Sequence, residues 1–97
     1  MQPVQLAQSF KARMVELDID EAELVRRYCA VRNQKGDLAA NPNNQRKNVQ
    51  RVLHAQGNPT FQTLVDLVSA LEGNLVLRWQ VEVVRLERLQ REDLLQL

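Results

Sequence analysis

Apolar residues fall at helical spacing through most of the chain and change period only near its end. Leu6, Phe10, Met14 and Leu17 recur every three or four positions, and Ala7 and Val15 widen the stripe. That pattern predicts an amphipathic first helix from about Val4 to Leu17. Asp18-Ile19-Asp20 interrupts it. Asp20 is a good N-cap, with Glu23 three residues on, where it can reach back to the cap's own N–H. The second helix then places Leu24, Val25, Tyr28, Cys29 and Val31 inward and leaves Arg26, Arg27 and Arg32 mostly outward.

Asn33 to Asn43 has little periodicity and is rich in turn formers, so it predicts a loop. Asn43 or Asn44 caps a third helix running to about Ala55, with one narrow apolar stripe of Val49, Val52 and Leu53. At about 100° per residue, Lys47, Arg51 and His54 fall opposite that stripe, beside Asn44, Asn48 and Gln50. Gly57-Asn58-Pro59-Thr60 is a stop and restart, Gly57 suiting a left-handed position and Thr60 an N-cap. Phe61, Leu64, Val65, Val68 and Leu71 predict a fourth helix that ends at Gly73-Asn74. From Leu75 to about Val84 the period becomes two, which predicts a strand. The tail from Arg85 reads as a short helix carrying Leu86, Leu89 and Leu94.

Composition narrows the classes. The 97 residues make one small domain, 44 % hydrophobic but only 4 % aromatic, so its core is built mainly from Leu, Val and Ala. One Cys and one His exclude an internal disulfide framework and a Cys/His zinc site. No Gly-rich phosphate loop or Ser/His/Asp arrangement is present, and the expectation is a protein that is not an enzyme and needs no cofactor or metal. With no long apolar run and no signal peptide, the expected location is cytoplasmic, without a membrane partner. Net charge is only +1, but its distribution is uneven. Between Arg26 and His54 there are seven bases against the single acid Asp37, while the rest of the chain holds six bases and eleven acids. This basic middle is either a surface for a polyanion or a set of solvated side chains.

Arg51-Val52-Leu53, then Gly57-Asn58-Pro59-Thr60, Thr63-Leu64 and Ala70-Leu71, resembles the second half of Cro/C1-type (XRE-like) helix-turn-helix domains. Glu23-Leu24-Val25-Arg26-Arg27 is similar to that motif's first helix. The resemblance covers Leu6 to Gly73 and is specific over the last third of that span. It implies a mainly α, four- to five-helix lambda repressor-like domain over residues 1–73, with an insertion at about 33–43. Residues 74–97 would form a C-terminal strand and tail, like the extension found in some antitoxins and small repressors.

The implied function is sequence-specific double-stranded DNA binding by a transcriptional regulator, with an autoregulating antitoxin and its toxin partner as a special case. In the family the second motif helix enters the major groove. Carried over, Asn44, Gln45, Lys47, Asn48 and Arg51 face base edges, while Arg46, Arg26 and Arg27 hold phosphates. Arg51 has a second reading as an ion-pair partner of an acid such as Glu23. The family joins its motif helices by a short turn, so the insertion is a departure; it drapes on the DNA backbone through Lys35 or obstructs the groove. Leu75, Leu77, Trp79 and Val81 would form a homodimer interface, strand against strand across a two-fold axis, the alternative being a strand folded onto its own helices. The competing function is a protein–protein interaction module that keeps the helical fold without binding DNA.

Overall fold

Among the described residues, four helices precede a two-stranded ribbon: α1 (Pro3–Leu17), α2 (Glu21–Gln34), α3 (Pro42–Leu53), α4 (Phe61–Ala70), β1 (Val76–Glu82) and β2 (Arg88–Leu94). The computed structural model describes the backbone of residues 2–82 and 88–94 and the side chains of residues 2–79. The molecule is mainly helical. α2 packs against both α3 and α4, and α1 packs against α3.

Local chemistry sets most of the helix ends. Asp20 Oδ1 accepts from Glu23 N–H at 2.8 Å and starts α2. Thr60 does the same for Thr63 N–H at 3.2 Å and starts α4. α1 stops at Asp18, which is left-handed at φ 54°, a conformation its short polar side chain tolerates. α3 starts earlier than the sequence pattern predicts. Its cap is Asn41, not Asn43 or Asn44, because Pro42 at the first helical position has no N–H to satisfy and a φ already suited to a helix. Since α2 also continues to Gln34, the expected insertion at 33–43 shrinks to a linker of residues 35–41.

The core runs from Phe10 and Met14 through Leu24, Val25, Tyr28 and Cys29 to Val49, Val52, Leu53, Leu67, Ala70 and Leu71. Leu6, Leu17, Val31, Leu64 and Val68 pack around it, half-buried. Burial pushes the Cys29 thiol above its ordinary pKa, in keeping with a packing role. Two stripe residues fall elsewhere: Val15 is 80 % exposed and Phe61 55 %. In α4 the buried side shifts to Val65, Asp66, Leu67 and Ala70. Phe61 is the first residue of the helix and projects beyond the core that the later turns cover.

Tyr28 is completely buried, and its hydroxyl is the only buried side-chain polar atom among the described residues without a hydrogen-bond partner. Leaving such a group desolvated and unpaired is unfavourable. Tyr28→Phe keeps the ring and removes the orphan. Thermal and urea unfolding should show a gain of about 1 kcal/mol; a loss would mean that the hydroxyl is paired in solution.

The tail is the largest departure from expectation. In place of a helix through Leu89 and Leu94, residues 88–94 form β2, antiparallel to β1; Leu86 lies outside the described residues, as do Val83 and Val84 at the end of the expected strand. A helix would have left β1 with open backbone groups on both edges, whereas β2 satisfies one of them. The register also sets Arg78 opposite Glu92 and Glu82 opposite Arg88. Such oppositely charged pairs favour it. β1 therefore pairs within its own chain along one edge and does not fold onto the helices along its length: Leu75 is half-buried, but Leu77 and Trp79 are exposed. Val81 is described by its backbone alone.

Candidate functional site

Among the described residues, the exposed side of α3 carries the densest set of unpaired cations. Val49, Val52 and Leu53 anchor the helix to the core, so the opposite side is held toward solvent. Lys47, Arg51 and His54 are exposed there, as are Asn44 and Asn48. Lys47 and Arg51 are one turn apart, about 6 Å along the axis and about 40° around it. Arg46 is exposed on the flank. The side chains of Arg46, Lys47 and Arg51 make no hydrogen bond or ion pair with another described residue. Arg51 also borders a concavity of about 140 Å³ between the end of α3 and Thr60 at the start of α4.

The start of α3 is fixed by two reciprocal hydrogen bonds. Asn41 Oδ1 accepts from Asn44 N–H, and Asn44 Oδ1 accepts from Asn41 N–H, each at 3.0 Å. Asn44 Nδ2 also donates to the Ala39 carbonyl at 2.8 Å. Both ends of the Asn44 amide are thus engaged in holding the cap, which argues against its expected role at a base edge. Asn48 Nδ2 donates to Gln45 Oε1 at 3.0 Å, so these two expected readers hold each other on the surface of the helix. The first turn of α3 has no acid, and its positive dipole end is left without a compensating charge.

Arg26 and Arg27 of α2 are tied down. Arg26 donates from Nε to Glu23 at 2.9 Å, and Arg27 Nε donates to the same carboxylate at 3.4 Å. Arg27 also reaches Glu72 at 3.6 Å, linking α2 to the end of α4. The hydrogen bond from Arg26, and then that from Arg27, lowers the Glu23 pKa below its ordinary 4.5. Glu23 therefore neither closes a capping box with Asp20 nor pairs with Arg51. Two guanidiniums outcompeted the backbone N–H for the same carboxylate. Arg26 and Arg27 are therefore not free cations. His54 Nε2 lies 3.9 Å from Glu21, an ion pair only when the imidazole is protonated.

One polar cluster was not anticipated from sequence. Asp66 is completely buried in α4. Its Oδ1 accepts from Lys35 Nζ at 2.5 Å and from Gln62 Nε2 at 3.0 Å, while Oδ2 accepts from Arg32 at 3.5 Å. Arg32 is shared with Asp37 at 2.8 Å, chiefly the reason its pKa is raised. Asn33 Nδ2 closes the linker further, donating to the carbonyls of Asp37 and Ala40. Lys35 is thus an internal tether between the linker and α4 and does not extend from a loose loop. Two cations face two acids in this cluster, which leaves no net charge to attract an anion. The available signal was Asp66 itself, an acid set between Val65 and Leu67 in the most apolar helix.

Among the described residues, no three His, Cys, Asp or Glu side chains gather as metal ligands, and no helix is long and apolar enough to cross a membrane. Compared with known proteins, the chain matches no family model, no curated protein and no solved structure.

Proposed function

We propose that this chain is a sequence-specific double-stranded DNA-binding regulator of the helix-turn-helix, lambda repressor-like class, with α3 entering the major groove. The observation that carries the reading is the exposed side of α3, where Lys47 and Arg51 project one turn apart with Arg46 beside them, unpaired among the described residues. Arginine and lysine suit guanine edges and phosphates, and a groove-bound helix needs its inner side held by a core, as Val49, Val52 and Leu53 hold this one. The uncompensated start of α3 adds to its attraction for a phosphate. In this reading Lys47 and Arg51 meet base edges and Arg46 a phosphate. Asn48 and Gln45 contribute once their mutual bond opens, and Asn44 keeps the helix start in shape. The linker of residues 35–41 is longer than the family's turn, but its ties to Asp66 and Asn33 hold it back against α2 and α4.

The test is a salt titration of binding to labelled genomic duplex fragments, including DNA upstream of the chain's own gene. Tight binding to one fragment, weakening linearly on a log–log plot, is the expected result. Neutralising Arg46, Lys47 and Arg51 together should lower the slope by about 3 if each meets a phosphate, and by less where a contact is to a base. Absence of binding at low salt would overturn the proposal and favour the protein-interaction module, a reading to which the pairing of Arg26 and Arg27 with acids already lends weight.

A further inference from the structure

β1 has a strand neighbour on one side only, the ribbon being β1–β2 among the described residues. Its apolar positions are open to solvent: Val76 is 47 % exposed, Leu77 43 % and Trp79 47 %. A two-stranded ribbon is marginal in water unless another strand or layer joins it, and an apolar edge is a template for such pairing. β2 is the less receptive edge, since Arg88, Arg91, Glu92 and Asp93 make most of it charged.

The residue order of β1 identifies the partner. Positions 76, 78, 80 and 82 share one face of the ribbon, and 77, 79 and 81 share the other. Two copies related by a two-fold axis normal to the sheet must pair symmetrically about one central position. Centring on Arg78 or on Glu82 sets like charges opposite each other, which is unfavourable. With Trp79 at the centre, Val76 falls opposite Glu82 and Arg78 opposite Gln80. Gln80 at the centre sets Arg78 opposite Glu82 twice on one face and Trp79 opposite Val81 twice on the other. Opposite charges and aromatic–β-branched combinations are both favourable across strands. The chain already uses the same device internally, in the pairings Arg78 with Glu92 and Glu82 with Arg88.

We propose that β1 pairs antiparallel with β1 of a second copy of this chain, in the register centred on Gln80, to give a four-stranded sheet of order β2–β1–β1–β2. Arg78 then stands in register between Glu92 of its own chain and Glu82 of the second copy. Leu77, Trp79 and Val81 of both copies form one continuous apolar face. This inference does not depend on the nucleic-acid reading.

Cysteine cross-linking tests the register, and sedimentation tests the dimer. Directly opposed residues in an antiparallel pair have Cα atoms about 4.5–5.5 Å apart, within the span of a disulfide. Gln80→Cys should therefore become a covalent dimer on mild oxidation. Arg78→Cys alone and Glu82→Cys alone should not, because the two-fold axis separates like positions by about 13 Å along the strands. Co-refolded, those two variants should cross-link to each other. The wild type, whose Cys29 is buried, should give no covalent dimer but should sediment at twice the chain mass at micromolar concentration. A monomeric wild type overturns the proposal without reference to any variant. A dimer in which Gln80→Cys fails to cross-link, in which the mixture fails, or in which Arg78→Cys cross-links alone overturns the register.

Discussion

Leu67→Ala is expected to destabilise the protein by about 2–5 kcal/mol, whereas Phe61→Ala, two turns earlier on the same helix, should cost less than about 1 kcal/mol. Leu67 is completely buried within the core cluster, so truncation removes contacts and leaves a cavity that its neighbours only partly fill. Phe61 is larger and more hydrophobic, but it is 55 % exposed and begins the helix beyond that cluster. Urea unfolding at unchanged m-value measures both. Similar losses for the two variants would mean that α4 presents a different side to the core.

The second large effect concerns Asp66, where the outcome depends on which partner is removed. Replacing Arg32 and Lys35 together by alanine leaves a completely buried carboxylate with only the Gln62 amide, and should cost about 3–5 kcal/mol. Asp66→Ala should cost less, about 1–3 kcal/mol, because the abandoned cations are only partly buried. Their side chains are 26 % and 35 % exposed, and Arg32 keeps Asp37. Chemical denaturation of the two variants side by side checks the order. The reverse order would show that the cluster is held by the cations' need for an anion and not by the acid's need for its donors.

The helical part was legible in sequence to the extent that its causes are local. Asp20 and Thr60 cap α2 and α4 through bonds that reach three residues, and the stripe Val49, Val52, Leu53 needs only helical spacing to be recognised. The α3 cap is Asn41, outside the pair Asn43 or Asn44 that the sequence pattern offers, since all three can accept the bond and Pro42 tips the balance. Lys35 and Asp66 lie 31 residues apart, and their pairing exists only after α2 and α4 have packed. β2 has a similar origin. Its polar sequence carries no strand signal of its own, and β1 induces it by offering an unpaired edge. The candidate site divides along the same line. Lys47 and Arg51 were readable as exposed, while the engagement of Asn44 by the cap, and of Arg26 and Arg27 by Glu23 and Glu72, came only with the side-chain geometry.

The core closes at Leu71, and the first residue of the apolar strand is Val76. During synthesis, then, every side chain of the core is made before Trp79 is. At about 5–20 residues per second the interval between Leu71 and Trp79 is on the order of a second, long compared with the microseconds a helix takes to form. The exposed apolar positions of β1 emerge behind a helical body whose residues are already complete, so they do not compete with an unformed core for partners. What β1 meets next is β2 of its own chain, so the ribbon closes after the core, and the pairing with a second copy proposed above comes last.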